Sequence, residues 1–172
     1  SQCCHYDEKA CGDAVAFKRI PAEERLLAVL ADGLGHGLKA NILALMTTTM
    51  ALRFSAEDRE IVHSAEIIMD SLPVCRVRQI SYATFTIVDT RLGGITRVVE
   101  MGNPEFLLFR GGDELPVKGD EFASPKYQDR TMTAYTFQAQ PNDRVLFFSD
   151  GVTQAGLGSP RFPLGWRNSG VS

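Results

Sequence analysis

Leu26-Leu27-Ala28-Val29-Leu30-Ala31-Asp32-Gly33 is the stretch on which the fold turns. An apolar run of this length reads as a strand covered on both faces, and the Asp-Gly pair marks its end. The same unit returns at Val145-Leu146-Phe147-Phe148-Ser149-Asp150-Gly151-Val152. In each copy a rigid strand delivers an aspartate to one rim of a sheet. A single Asp-Gly most often closes a strand as a plain turn. Two copies, with a third aspartate in similar company, point instead to a metal site. The third is Asp13 in Cys11-Gly12-Asp13-Ala14-Val15-Ala16-Phe17, where it opens a strand. The polar link from Lys18 to Arg25 suits a hairpin, so an antiparallel pairing sets Asp13 beside Asp32. Three carboxylates at one rim repel one another unless cations are present. Hard oxygen donors favour Mg²⁺ or Mn²⁺ over Zn²⁺. Two such ions about 3.5–4 Å apart can share and deprotonate a water for phosphate-ester cleavage.

Outward from these strands, the spacing predicts a helix over about 38–54, with Ile42, Leu45, Met46, Thr49, Met50 and Leu52 on a wide buried face. Ser55-Ala56-Glu57-Asp58 resembles a capping box for a second helix over about 57–72, whose inner face is Ile61, Ala65, Ile68, Met69 and Leu72. Pro73 ends it. The period then changes to that of strands: Ser81–Asp89, Ile95–Met101, Phe106–Arg110 and Thr131–Gln138, punctuated by Gly93-Gly94, Gly102-Asn103-Pro104 and Gly111-Gly112-Asp113. Two strands, two helices and a meander do not alternate as β-α units do. The pattern predicts an α+β fold of two stacked antiparallel sheets with helices packed outside.

The 172 residues suit one domain, and the 44% of apolar residues suit a globular one. A net charge of -3 gives no electrostatic reason to expect nucleic-acid binding. No run is long enough to span a membrane and no secretory signal is visible, so the expected location is the cytoplasm. Cys3, Cys4, Cys11 and Cys75 match neither a zinc pair of pairs nor a disulfide scaffold, and read as incidental thiols.

Gly33-Leu34-Gly35-His36-Gly37 lies between a strand and a helix, as a phosphate cradle would. The spacing is not the dinucleotide fingerprint, no Gly-Lys-Ser/Thr follows, and Asp32 would repel a pyrophosphate. The loop makes better sense with Asp32 and the Gly33 carbonyl as metal ligands. His36 suits either a proton donor to a leaving oxygen or a hydrogen bond that shapes the loop.

Taken together, Gly12-Asp13, Ala31 through Gly37 with Ala40, Tyr82 through Phe85, Met101 through Leu108, and Ser149-Asp150-Gly151-Val152-Thr153-Gln154-Ala155 resemble the metal-dependent PPM (type 2C) protein phosphatases in their bacterial SpoIIE-like branch. The order and spacing agree over about residues 11–156. The resemblance implies an α-β-β-α sandwich of two antiparallel sheets flanked by helices, forming a single domain over 1–172. It implies two Mn²⁺ or Mg²⁺ ions, with Asp13, Asp32, Gly33 and Asp150 as metal ligands and Asp32 and Asp150 as the catalytic carboxylates. The implied reaction is hydrolysis of protein phosphoserine or phosphothreonine by a metal-bridged hydroxide, and the usual substrate in this branch is a phosphorylated anti-sigma-factor antagonist. In one respect the chain departs from the family: its last strand normally carries an Asp-Asp pair, and none occurs here. The expected domain therefore lacks its C-terminal strand and holds at least one metal more weakly. Two other readings follow: a catalytically silent regulatory binding module, and a small-molecule phosphate hydrolase on the same scaffold.

Overall fold

The link between the first two strands folds tightly because Pro21 fixes its own φ and Glu24 takes a left-handed turn at φ 47. β1 (Asp13–Ile20) and β2 (Arg25–Gly33) therefore pair as a hairpin in which Asp13 faces Asp32. This is a computed structural model, and it describes residues 10–35, 37–57, 60–72, 83–123 and 131–166. After the hairpin come α1 (Gly37–Glu57), α2 (Ile61–Ser71), β3 (Ala83–Thr90), β4 (Ile95–Met101), β5 (Leu107–Arg110) and β6 (Asp113–Leu115). The remainder is β7 (Gly119–Ala123), β8 (Thr131–Gln138), β9 (Arg144–Leu146) and the single-turn helix α3 (Asp150–Thr153). Six strands form one sheet in the order β1-β2-β3-β4-β8-β7, and three form another in the order β6-β5-β9. Every pairing is antiparallel. The α+β class with two antiparallel sheets and flanking helices is the one expected.

The two faces of the larger sheet carry separate cores. One packs Val29, Ala31, Phe85, Ile87 and Val99 against α1 and α2. The other sets Val88, Val98 and Tyr135 against Leu108 of the smaller sheet and Phe106 just before it. Phe106 meets Tyr135 edge-on at 5.0 Å and stacks on Phe137 at 5.7 Å, the two geometries aromatic quadrupoles prefer. At the far end of the hairpin a buried ion pair fastens the layers. Arg25 Nε donates to Asp89 at 2.7 Å, and its other arm donates to the Ser55 carbonyl of α1 at 2.6 Å.

Several sequence expectations are corrected. Along α1 the buried residues are Gly37, Ala40, Ala44, Thr47, Thr48, Ala51 and Ser55, while Ile42, Leu45 and Met46 stand about half exposed. Thr49 is exposed as well, and of the expected face only Met50 and Leu52 pack, half-buried, against the core, because α1 lies so close to the sheet that small side chains fill the space beneath it. Ser55 and Glu57 belong to α1 and make no capping box; α2 starts after Glu60 without a side-chain cap. The inner face of α2 is as read, with Ile61, Ala65, Ile68, Met69 and Leu72 all buried. The second Asp-Gly strand is also shorter than expected. β9 stops at Leu146 and is an edge of the small sheet, so Leu146 is exposed instead of covered on both faces. β2 is covered fully on its helix side only: Leu26 is exposed, beyond the reach of the smaller sheet. Gly102-Asn103-Pro104 joins strands of different sheets rather than closing a hairpin. Among the described residues, no helix is long and apolar enough to cross a membrane.

Candidate active site

Three elements bring the predicted aspartates to one rim. Asp13 opens β1 opposite Asp32, which sits one residue from the end of β2. Asp150 begins α3, directly after the loop that follows β9. The loop preceding β1 is tied down by the Asn41 amide of α1, which donates to the Cys11 carbonyl at 2.8 Å. Gly33 N–H donates to the Gly12 carbonyl at 3.1 Å, extending the hairpin by one rung. Gly33 has to be glycine: a Cβ there would lie 2.0 Å from the Ala40 carbonyl oxygen. Gly35, at φ 98, supplies the left-handed step that lets the chain turn from β2 into α1.

The electrostatics follow from this convergence. Burial pushes the Asp32 carboxyl up from 3.8 to about 7, helped by the charges of Asp13 and Asp150 and by hydrogen bonds to both. The flanking carboxylates are themselves held. Ser149 Oγ donates to Asp13 Oδ2 at 2.7 Å, and Gln154 Nε2 donates to Asp150 Oδ2 at 2.8 Å. Among the described residues, no three His, Cys, Asp or Glu side chains form a ready-made cage for a metal ion. The donor set nonetheless fits a hard divalent cation, since it offers carboxylate oxygens, an adjacent backbone carbonyl at Gly33, and a site that favours positive charge.

The row continues across the sheet. Asp32 is in register with Thr84 of β3, whose hydroxyl donates to Asn103 Oδ1 at 2.5 Å. Asn103 Nδ2 donates in turn to Thr86 Oγ1 at 3.0 Å, so both ends of the amide clamp the β4–β5 connection onto β3. Behind this clamp Glu100 is 5% exposed and accepts the Phe106 N–H at 3.0 Å. Burial pushes Glu100 from 4.5 to about 8; the Phe106 N–H opposes the rise and the charge of Glu105 adds to it. Burial likewise lifts Tyr135 to about 12, with the charges of Glu100 and Glu105 behind it. Sequence reading missed Glu100 and Thr86. Polar residues recur along both strands, so neither stood out in the sequence.

Asp13, Asp32 and Asp150 are thus brought together, with Gly33 beside them. His36, Cys3, Cys4 and Cys75 lie outside the described residues. Cys11 is disulfide-bonded, a correction to the incidental thiol expected.

The family model of Stage II sporulation protein E (SpoIIE) matches residues 22–164. Solved structures of the same fold include the RsbU and RsbW domains of Rv1364c from Mycobacterium tuberculosis, with 20% identity and a TM-score of 0.66 over 87% of this chain and 42% of that one. RsbX in complex with magnesium is 22% identical, with a TM-score of 0.66 over 88% of this chain and 72% of that one. The PP2C phosphatase domain of SpoIIE from Bacillus subtilis, solved with a fragment of its regulatory domain, is 17% identical, with a TM-score of 0.67 over 84% and 43%. The chain therefore spans less than half of the Rv1364c and SpoIIE chains. No curated protein matches it.

Proposed function

Because the chain belongs to the SpoIIE family, within the PPM (type 2C) phosphatases, we propose that it is a metal-dependent protein serine/threonine phosphatase. Asp13, Asp32, the Gly33 carbonyl and Asp150 would hold two Mn²⁺ or Mg²⁺ ions, within a single phosphatase domain acting in the cytoplasm. The observation that carries the reading is the convergence of Asp13, Asp32 and Asp150 on one rim, where half-buried Asp32 has its carboxyl pushed up to about 7. A position that disfavours its own negative charge is one that a dication stabilises. When bound, the ions would supply a polarised phosphoryl group and an activated water.

The chain's own residues supply placement. Ser149 fixes the orientation of Asp13, and Gln154 fixes that of Asp150. The hairpin register holds Asp13 against Asp32, and the contact of Gly33 with α1 sets the depth of the β2 end. In the net reaction water adds to phosphorus, the phosphorus–oxygen ester bond breaks, and the serine or threonine hydroxyl leaves carrying a proton. The substrate class we favour is a small phosphorylated anti-sigma-factor antagonist, in line with the branch the chain resembles.

The test is phosphate release from a phosphothreonine peptide with and without Mn²⁺, beside Asp32→Asn. Mn²⁺-dependent release that is lost in Asp32→Asn supports the enzyme. Silence in a folded protein supports the second reading, a regulatory binding module.

A further inference from the structure

α1 turns its small side chains toward the sheet and leaves larger ones outside. Leu38, Ile42, Leu45 and Met46 are apolar, yet each is between 47% and 68% exposed. They cannot turn inward, because α1 is fastened to the sheet at both ends. Ala40 seats on Gly33 and Asn41 donates to the Cys11 carbonyl at one end, while Arg25 donates to the Ser55 carbonyl at the other. Apolar residues scattered singly over a surface need no explanation, but these fall on one stripe. Leu38, Ile42, Leu45, Thr49 and Leu52 follow one another at alternating steps of four and three residues. That alternation is the spacing of a seam into which a second helix packs its own side chains. From Leu38 to Leu52 the seam runs ~21 Å, about four turns.

Toward its C-terminal half the seam opens into a groove of about 410 Å³ beside the edge strand β1, lined by Ala16, Lys18, Thr49, Leu52, Arg53 and Glu57. Thr49 and Leu52 belong to both, so seam and groove are one surface. Lys18 and Arg53 are exposed, and among the described residues neither is held in an ion pair. Two cations against the single carboxylate of Glu57 leave this end positive, in a chain whose net charge is -3. Lys39 lies on the same flank of the seam, two heptads before Arg53. A second copy of the chain is therefore a poor occupant. Laid antiparallel and centred on Leu45, it would set Lys39 against Arg53; laid parallel, it would set the Lys18 and Arg53 end against its own like. Like charges brought together in this way oppose association, and carboxylates in the same places favour it.

We propose that this surface docks an amphipathic helix of a partner protein. The helix carries apolar residues at the same alternating spacing, and glutamate or aspartate at the end that meets Lys18 and Arg53. None of the docking residues belongs to the aspartate rim.

The experiment is selection from a displayed library of helical peptides of about 18 residues, long enough to cover the seam, against the immobilised 172-residue chain. The apolar seam of the peptides is fixed and their flanking positions are randomised among glutamate, glutamine and lysine. Enriched peptides are expected to carry glutamate beside one end of their seam. In fluorescence anisotropy they are expected to bind the native chain about tenfold or more tightly than Leu45→Gln/Met46→Gln, and about fivefold more tightly than Lys18→Gln/Arg53→Gln. Circular dichroism confirms that both double variants fold. No enrichment over a support without the chain, enrichment of lysine or glutamine flanks, or binding that survives either double variant overturns the proposal. So does a dimer in sedimentation that is lost in Leu45→Gln/Met46→Gln, which gives the seam to a second copy. Flotation with phosphatidylglycerol vesicles that is lost in the same variant gives it to a lipid surface, and equally overturns the partner helix.

Discussion

Replacing Glu100 by glutamine should flatten a pH dependence that the native chain carries in its core. The folded carboxyl titrates at about 8 and the unfolded one near 4.5, so between these values the native state holds a proton that the unfolded state has released. Stability from this group is fully present below about 4.5 and is lost as pH rises through about 8. The interval spans ~3.5 pH units, which sets a ceiling of ~5 kcal/mol for the whole loss. Between pH 5 and 7 the native chain should lose ~2 kcal/mol, allowing for relaxation around the charged form. Glutamine keeps an oxygen to accept the Phe106 N–H and cannot ionise. Urea unfolding followed by circular dichroism at pH 5, 6, 7 and 8, with a chelator present, compares the two chains. Glu100→Gln should show the shallower slope and overtake the native chain as pH rises. Two curves that stay parallel within ~0.5 kcal/mol would refute the argument, since independent sites add to about that precision.

Gly33→Ala places a methyl group 2.0 Å from the Ala40 carbonyl, so α1 and β2 must part. Thermal unfolding should show a loss of ~3 kcal/mol, and a stability unchanged from native would mean that the helix is not seated where described. Arg25→Leu leaves Asp89, whose side chain is 0% exposed, with the Arg91 guanidinium as its remaining cation, and should cost ~3 kcal/mol in chemical denaturation; Arg25→Leu/Asp89→Leu should recover part of it. A double variant as unstable as the single one would contradict the ion-pair account. On α1, Ala44→Leu should destabilise by ~1–3 kcal/mol, whereas Leu45→Gln should stay within ~0.5 kcal/mol. The reverse ranking in a thermal-shift measurement would restore the face expected from sequence.

The parts of the fold legible in the sequence were those governed by local rules. The Asp13–Asp32 register followed from two strands and a polar link, and β4 and β8 came out with their expected bounds. Asp13 and Asp32 meet because each stands at or next to the end of its strand, whereas Asp150 approaches them from the first turn of α3, beyond the end of β9. The face of α1 was not legible, because its large residues suggested burial while spacing between layers decided it. Gly33 under Ala40 is the cause, and that contact joins elements whose separation no periodicity reports. The Arg25–Asp89 pair, 64 residues apart, lay hidden in what read as a polar link. Glu100 escaped notice because one carboxyl in a strand looks like any outward-facing residue until the second sheet is laid over it.

The hydrogen bond from Ser149 to Asp13 bridges 136 residues of chain. On a ribosome, which releases the chain from its N-terminus onward, Asp13 and Asp32 can meet as soon as the first hairpin emerges. Asp150 cannot join them until almost everything between has been made. A nascent chain therefore carries two of the three carboxylates through most of its synthesis without the third. The complete set of three carboxylates, on this geometry, arrives late and all at once.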